Sequence, residues 1–334
     1  MDSRPPSFLI INVSRIGDTL LVTPAIRAVA KAYPGAAITF AGHPKRCEVI
    51  RHLPYVSSVV GITKNRARLL GHGPGRRYDY AIVYGYDLPL LGYALRVAAR
   101  VVAFRQKDAA INRRLYRVVE PPAFQSMHSA RAPLLLTQAL DIEPDGFRLA
   151  YRVTEAERAW AQDFVRQQLP ASAQPLIGLQ VASFPTKAYR DWPVGHFAAL
   201  CDKILQAHPH AHFLLLGGKE ELAKIRELEQ RLHNHATVAA GKLSLRQTAA
   251  LMQQLNLYVG VDTGPTHLAG AIGVPMVALY HCYSPGRLLA PLDRDRLEVV
   301  EHPGLDAGGT MESDMADISV ERVWSAVQAL LKPG

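Results

Sequence analysis

Short apolar runs alternate with longer amphipathic segments along the whole chain. Runs of strand length occur at 8–13, 37–41, 56–62, 78–84, 101–104, 176–181, 212–216, 237–240, 257–261, 276–280 and 298–300. Helical patterns occur between them at 19–32, 49–53, 88–97, 128–140, 155–169, 193–208, 245–255, 266–272 and 320–331. Continuous apolar runs are typical of buried parallel strands, which need crossover helices. The alternation therefore predicts an α/β protein with doubly wound parallel sheets.

Segments without these patterns divide the chain. The stretch 141–175 is rich in polar and turn residues around its one helix, and its first part, 141–153, is expected to end in a short strand. We place the crossover between two domains there, which gives domains 1–150 and 151–334. We expect that the last helix packs back on the first domain. The basic, glycine-rich stretch 63–77 is expected to be a loop, and 301–317 to be irregular.

Polar residues follow the apolar run 257–261 directly, in the order Asp262-Thr263-Gly264-Pro265. In open parallel sheets ligands bind at the carboxyl ends of strands. Here the next helix would offer backbone N–H groups to an anion, with His267 in its first turn. The alternative is that Asp262 and Thr263 only cap the helix and that His267 is an ordinary surface residue.

The end of the first strand carries a single glycine, Gly17, followed by Asp18. This is not the GxGxxG pattern of dinucleotide-binding folds, so a nicotinamide dehydrogenase is disfavoured. A lone carboxylate at a strand end suits a general base. The alternative is that Asp18 is the N-cap of helix 19–32.

Two further strand ends carry groups suited to a nucleotide. The loop 182–193 holds hydroxyls and cations as a pyrophosphate site would, namely Ser183, Thr186, Lys187 and Arg190. An ordinary basic loop is the alternative. After 212–216, Glu220 and Glu221 are candidates to bind ribose hydroxyls, or are first-turn carboxylates favoured by the helix dipole.

The basic charge of the chain predicts an anionic partner. The formal net charge is +9, and hydrophobic residues make up 49% of the chain, enough for sizeable cores. Basic clusters in the first half suggest either a face for a phosphorylated acceptor at a membrane surface or a solvated charged surface. They include Lys64, Arg66, Arg113 and Arg114. Aromatic residues there form no RNA-binding pattern, so nucleic acid is disfavoured.

The remaining composition excludes several classes of protein. Cys47, Cys201 and Cys282 lack the spacing of a zinc site or a disulfide framework, which suits the cytosol. The N-terminus shows no cleavable signal pattern. No apolar run reaches the ~18 residues that span a bilayer, so any membrane contact is expected to be peripheral.

Several blocks together resemble the ADP-heptose:lipopolysaccharide heptosyltransferase family, glycosyltransferase family 9. These blocks are RIGD-x5-PAIRA, the Trp-Pro pair after a basic loop, LLLGGKEE, GKLSL, and VGVDTGPTHLAGAIGVPMVALY. They are spread over most of the chain, and the last is highly specific in combination. The resemblance implies the GT-B fold, two Rossmann-like domains that face each other across a cleft, and transfer with inversion.

The resemblance also implies roles for individual residues. Asp18 matches the family's general base. Asp262, Thr263, Gly264 and His267 match its loop for the donor diphosphate. Arg190 stands where the family usually has lysine, so Lys187 is expected to share that role, with hydroxyls from Thr186 and Ser183. Glu220 or Glu221 would bind ribose, and Leu243 would pack on adenine. We assign weaker acceptor contacts to Arg15, Lys64, Arg66, Arg113 and Arg114.

The resulting hypothesis is a heptosyltransferase that uses ADP-L-glycero-D-manno-heptose and a phosphorylated glycolipid of the lipopolysaccharide core. No cofactor and no metal are expected, because helix N-termini and cations can neutralise the leaving diphosphate. The enzyme would act in the cytoplasm, at the inner face of the inner membrane. Two alternatives stay open. One is a glycosyltransferase of the same fold with another nucleotide sugar or acceptor (capsule, O-antigen or protein), and the other is a non-catalytic sugar-nucleotide-binding protein.

Overall fold

The computed structural model describes residues 4–331, which divide into two units with the boundary between Arg152 and Val153. The sequence placed this boundary between residues 150 and 151. Each unit is built on one six-stranded sheet in which every neighbouring pair of strands is parallel. This confirms the predicted α/β fold class.

The N-terminal sheet has the strand order β3-β2-β1-β4-β5-β6. Its strands are β1 (Ser7–Asn12), β2 (Ala37–Gly42), β3 (Ser58–Gly61), β4 (Tyr78–Tyr84), β5 (Ala98–Phe104) and β6 (Arg117–Val119). The helices of this unit are α1 (Ile16–Leu21), α2 (Thr23–Ala32), α3 (Lys64–Leu69), α4 (Leu88–Val97), α5 (Ala109–Asn112) and α6 (Leu134–Gln138). Strand β1 lies in the middle of the sheet, and residues 8–12 are buried, which fits its continuous apolar run.

The C-terminal sheet has the strand order β12-β11-β10-β7-β8-β9. Its strands are β7 (Leu176–Gln180), β8 (His212–Leu216), β9 (Ala236–Val238), β10 (Leu257–Val261), β11 (Met276–Tyr280) and β12 (Leu297–Glu301). The helices of this unit are α7 (Glu155–Gln168), α8 (Val194–Ala207), α9 (Leu222–Leu232), α10 (Leu245–Met252), α11 (Gly264–Ile272), α12 (Gly286–Leu289) and α13 (Val320–Leu331). Every residue of β7, β8, β10 and β11 is buried.

The predicted helix 19–32 was wrong in its start and in its continuity. Helix α1 begins at Ile16, and the chain breaks at Val22 before α2 continues. Pro24 explains the break, because proline lacks an N–H and its ring would clash with the carbonyl of Leu20 in a continuous helix. That carbonyl instead accepts a hydrogen bond from the Thr23 hydroxyl at 2.7 Å.

The stretch 63–77 was expected to be a loop, but its first part forms helix α3. Thr63 caps this helix by accepting the Arg66 N–H at 3.3 Å. Arg96 of helix α4 donates to the Leu70 carbonyl at 2.8 Å. A short helix needs such tertiary support, since isolated helices of this length are unstable, and periodicity alone therefore misses it.

Three other predictions in the N-terminal half were wrong in extent. Of residues 49–53, only Val49 and Ile50 lie in a helix, the short 3-10 helix Cys47–Ile50. The helix expected at 128–140 is reduced to α6, because Pro133 disfavours helical backbone in the residue before it. Residues 149–153 lie outside both sheets of the described chain. The connection is held instead by α2, where the Thr23 hydroxyl accepts the Ala150 N–H at 2.9 Å.

The last helix contributes its apolar face to the core of the C-terminal unit. Val323, Val327 and Leu330 are buried there together with residues of β7, β10 and β11. Trp192, at the start of α8, donates its indole N–H to the Ile318 carbonyl just before this helix at 2.8 Å.

A charged pair fastens the first helix of the C-terminal unit to α10. Arg246 donates from Nε to one carboxylate oxygen of Glu157 at 2.6 Å and from Nη2 to the other at 2.5 Å. Glu157 also completes the capping box of α7 by accepting the Thr154 N–H at 2.8 Å. Burial alone would raise the pKa of Glu157, but the hydrogen bonds from Arg246 and Thr154 lower it to about 2.

Removing the Glu157 charge should therefore weaken the fold in a pH-dependent way. The folded-state pKa lies below the ordinary value of 4.5, so the stabilisation is present above that value and is lost as the pH falls toward about 2. We expect Glu157→Gln to cost about 1–3 kcal/mol of unfolding free energy at neutral pH. It should also show a smaller loss of stability than the wild type between about pH 5 and pH 3. Urea unfolding at several pH values measures both quantities. Glu155→Gln, on the exposed face of the same helix, is the control, and equal pH dependence in wild type and Glu157→Gln would contradict the assignment.

Candidate functional site

Three neighbouring strands of the C-terminal sheet end in loops whose polar side chains meet. Arg190 follows β7, Asp262 follows β10, and Ser284 follows β11. Arg190 donates from Nη1 to the Asp262 carboxylate at 2.6 Å and from Nη2 to the Ser284 hydroxyl at 3.0 Å. Its Nε donates to the Tyr189 hydroxyl at 3.1 Å. The guanidinium is thus held on three sides at the carboxyl edge of the sheet, where ligands of parallel sheets bind.

The Asp262 side chain is buried and forms an ion pair. It is only 3% exposed and pairs with Arg190, while the backbone N–H of Asp262 donates to the Leu279 carbonyl at 3.1 Å. Neither group is then available to donate to a phosphate, and a carboxylate repels one. The Asp262 carboxylate therefore positions Arg190, and its contact with the diphosphate stays a prediction.

Helix α11 begins with Gly264 and has Thr263 at its N-cap position. The Thr263 hydroxyl is directed to the Val261 carbonyl at 3.3 Å and to the Thr266 hydroxyl at 3.4 Å. It accepts no backbone N–H of the helix, so side-chain capping by Thr263 was wrong. The first-turn N–H of Gly264 has no acceptor within an α-helix and is of the kind that binds anions. His267 is buried, with its Nε2 4.0 Å from an Asp262 oxygen, which excludes the alternative of an ordinary surface histidine.

The loop after β7 is organised from within by Ser183. Its hydroxyl has two acceptors within the loop, the Asp191 carboxylate at 2.6 Å and the Lys187 carbonyl at 2.8 Å. Asp191 in turn pairs with Lys224 at 2.7 Å. The Ser183 hydroxyl has a single hydrogen, which these acceptors occupy, so it helps to hold the loop, and its contact with phosphate stays a prediction. Thr186 is exposed.

Lys187 and Arg190 both border the ring of Tyr189. The Lys187 Nζ lies 5.7 Å from the ring centre, and its side chain is half-buried. Burial would raise the pKa of the Tyr189 phenol, but hydrogen bonds with Ser284 and Arg190 lower it. The Tyr189 ring therefore lies next to both cations of the loop.

The candidate nucleoside-binding residues differ in their exposure and in the hydrogen bonds that they already make. Glu221 accepts the Gly218 N–H at 2.6 Å and so closes its own turn, and burial raises its pKa. Glu220 is exposed in the same turn. Leu243 is half-buried, directly before the Ser244 cap of α10. Of the two carboxylates, that of Glu220 is the more exposed to solvent.

Asp18 is the third residue of α1 and is exposed. The N-cap residue of this helix is Arg15, so the alternative that Asp18 caps a helix starting at residue 19 was wrong. Asn12, at the end of β1, donates to the Asp18 carbonyl at 3.1 Å, and the Thr19 hydroxyl donates to the Arg15 carbonyl at 2.8 Å. These bonds fix the backbone of the turn that presents the carboxylate.

The candidate acceptor residues do not form one cluster. Arg15 is exposed after β1, and α3 carries Lys64 and Arg66 after β3, at the same edge of the N-terminal sheet. Lys64 pairs with Asp87 at 2.6 Å. Arg113 and Arg114 are exposed on the connection that leads from α5 to the start of β6. The first three are therefore better placed to act together.

No group of three histidine, cysteine, aspartate or glutamate side chains is arranged to hold a metal ion within residues 4–331. The three cysteines are buried and carry free thiols. None of the described helices combines the length and the apolar composition that crossing a membrane requires.

The sequence reasoning missed Tyr189 and Ser284. Ser284 lies four residues after the buried strand β11, so the strand-end rule applied to a third loop would have singled it out. Nothing in the sequence marks Tyr189, because its role depends on partners from distant loops.

The chain matches the sequence profile of glycosyltransferase family 9 (heptosyltransferase) over residues 92–303. It is 27% identical over 299 residues to lipopolysaccharide heptosyltransferase 1 of Pseudomonas aeruginosa, covering 83% of this chain and 79% of the relative. It is also 23% identical over 280 residues to lipopolysaccharide heptosyltransferase 3 of Escherichia coli, covering 79% and 80%.

Solved structures share the fold over almost the whole length. A family 9 glycosyl transferase from Veillonella parvula has a TM-score of 0.83 at 21% identity, covering 99% of this chain and 98% of that one. E. coli ADP-heptose LPS heptosyltransferase II has a TM-score of 0.79 at 20% identity, covering 97% and 98%. These likenesses confirm the GT-B fold class. With the profile match over more than half of its length, the chain belongs to glycosyltransferase family 9, the heptosyltransferase family, and is a glycosyltransferase.

Proposed function

We propose that this enzyme transfers a heptose from ADP-L-glycero-D-manno-heptose to a phosphorylated glycolipid of the lipopolysaccharide core, with inversion at the anomeric carbon. The observation that carries the proposal is the Arg190 guanidinium, held at the carboxyl edge of the C-terminal sheet beside the first turn of α11. The names of the relatives in P. aeruginosa and E. coli support the acceptor class. A solved structure described as E. coli heptosyltransferase WaaC with ADP supports the donor nucleotide.

The donor diphosphate would be bound by positive groups of two loops. Arg190 and Lys187 supply full charges, and the start of α11 supplies the Gly264 N–H and the positive end of the helix dipole. Thr186, Thr263 and His267 border this region and would add polar contacts. As the bond from the anomeric carbon to the diphosphate breaks, charge builds up on the leaving oxygen, and fixed cations stabilise it without reorganisation. This charge neutralisation requires no divalent metal.

The nucleoside would lie against the loops after β8 and β9. Glu220 would accept hydrogen bonds from ribose hydroxyls, as carboxylates after a glycine-rich strand end do in α/β folds. Leu243 would pack against the adenine ring.

Asp18 would act as the general base. Its exposed carboxylate takes the proton of the acceptor hydroxyl while that oxygen forms its bond to the anomeric carbon from the face opposite to the leaving ADP. The electron pair of the old bond leaves with the diphosphate. Attack from the opposite face is what inverts the configuration.

The acceptor and the membrane would be met by basic residues of the N-terminal unit. Arg15, Lys64 and Arg66 would contact phosphates of the acceptor, with Arg113 and Arg114 further away. Leu69, at the end of α3, is 80% exposed and is surrounded in sequence by Arg66, Arg68, Arg76 and Arg77. Such a combination favours peripheral contact with an anionic surface, which we place at the cytoplasmic face of the inner membrane.

The donor assignment is tested by the melting temperature of the protein with ADP, UDP, GDP and NAD, each with and without EDTA. We expect ADP alone to stabilise the protein, by about 2.7 kcal/mol at one hundred times its Kd, and EDTA to leave this shift and the turnover unchanged. A shift with UDP or GDP instead would keep the fold and reject the donor. Turnover that is lost in EDTA and restored by Mg²⁺ would overturn metal-independent transfer.

The general base is tested by Asp18→Asn. We expect turnover to fall by about 10²–10⁴-fold, the usual contribution of a positioned acid or base, while the Kd for ADP stays within a factor of about two. The isosteric amide keeps the size of the side chain, and Asp141→Asn, at an exposed position of the same unit, is a control for lost charge. Unchanged turnover would remove Asp18 from the mechanism. ADP binding without transfer in the wild type, with every acceptor tried, would favour a non-catalytic binding protein.

The membrane contact is tested with vesicles of zwitterionic lipid, with and without anionic lipid. We expect binding only to the anionic vesicles and a roughly tenfold loss of affinity in Leu69→Ser, from the lost burial of one leucine side chain. Phe124→Ser is a matched control, since Phe124 is 81% exposed but has no lysine or arginine within six residues in sequence. Equal binding of Leu69→Ser and wild type would exclude this surface.

A further inference from the structure

We propose that Tyr189 and Ser284 complete the diphosphate site: they fix the orientation of the Arg190 guanidinium and present one hydroxyl donor of their own to a phosphate oxygen. This inference rests on the proposed function, because it concerns the same site. It adds two residues that neither the sequence patterns nor the family resemblance singled out.

The first argument is the geometry of the guanidinium. Each of its three nitrogens has a different acceptor, namely the Tyr189 hydroxyl, the Asp262 carboxylate and the Ser284 hydroxyl. The charge of Arg190 needs only Asp262 for its balance. The Tyr189 and Ser284 hydroxyls therefore set the orientation of the guanidinium, since a planar group bonded at three corners cannot rotate away. Nη2 carries a second N–H beyond the one given to Ser284, and that donor suits a bidentate contact with phosphate.

The second argument is a count of hydroxyl hydrogens. Tyr189 and Ser284 each accept from Arg190, and their oxygens lie 3.3 Å apart, where one of them donates to the other. The two hydroxyls have two hydrogens, but only one of these is used in the hydrogen bond between the oxygens, so the other remains available as a donor. Among residues 4–331 no further side-chain acceptor contacts either oxygen. The arrangement therefore holds one spare O–H donor next to the spare N–H of Arg190, and an anionic oxygen satisfies both.

The third argument is that the surroundings hold this pair rigidly. The Tyr189 ring packs against the buried His281 ring at a centroid distance of 5.1 Å and an interplanar angle of 80°. His281 is fixed by the Tyr283 N–H on Nδ1 at 3.1 Å and by the Ser313 carbonyl on Nε2 at 2.8 Å. Ser284 donates its own N–H to the His281 carbonyl at 2.9 Å. A site whose residues are held by such contacts is preorganised for its ligand.

The test compares the binding of inorganic pyrophosphate, ADP and adenosine by calorimetry in Ser284→Ala and Tyr189→Phe. We expect each variant to weaken pyrophosphate and ADP binding by roughly tenfold or more, as for a lost hydrogen bond to a charged group, and to leave adenosine binding and the melting temperature nearly unchanged. Ser284→Thr, which keeps a hydroxyl, should restore most of the affinity. Tyr283→Phe is the matched control, because its hydroxyl makes none of these three contacts.

Arg190→Lys decides whether the two residues act through the arginine. A lysine cannot bond three acceptors at fixed angles, so in that background the part of the Ser284→Ala effect that acts through the guanidinium should vanish. An undiminished effect in Arg190→Lys, or unchanged pyrophosphate affinity in both single variants, would overturn the proposal. A wrong donor assignment gives a different result. If the wild type binds pyrophosphate and prefers UDP or GDP to ADP, and Ser284→Ala weakens pyrophosphate binding, then the roles of Tyr189 and Ser284 stand and ADP-heptose is rejected.

Discussion

The buried ion pair of Arg190 and Asp262 is the interaction on which the candidate site depends. Asp262 is almost inaccessible to water, and an unpaired carboxylate there would cost several kcal/mol. The pair joins the loops after β7 and β10, and Ser284 extends it to the loop after β11. Charge balance thus requires the arginine to stay at the sheet edge, where a diphosphate would meet it.

The parallel topology explains why the useful side chains lie where they do. Six strands run in one direction in each unit, so all their carboxyl ends meet at one edge. Helices begin there, with backbone N–H groups directed to solvent. The same arrangement that presents Gly264 at the start of α11 presents Asp18 in the first turn of α1. One architectural rule therefore supplies an exposed carboxylate in one unit and a helix N-terminus in the other.

The sequence predicted much of this because the relevant signals are local. Strands such as Leu257–Val261 were found from their apolar runs. Local signals failed where tertiary contacts decide. Helix α3 depends on Arg96, and the side chains of Ser183 and Asp262 form hydrogen bonds with partners that sequence patterns do not reveal.

By itself, the sequence determined the fold class, the strand ends that carry polar residues, and the family, because periodicity and motif spacing are properties of neighbouring residues. Only the tertiary structure decided which of those polar groups are already satisfied. Arg190, Asp262 and Ser284 come from three separate loops, and their pairing arises because β7, β10 and β11 are adjacent in the sheet. A hydrogen bond depends on distance and angle in space, and neither is written in the order of residues along the chain.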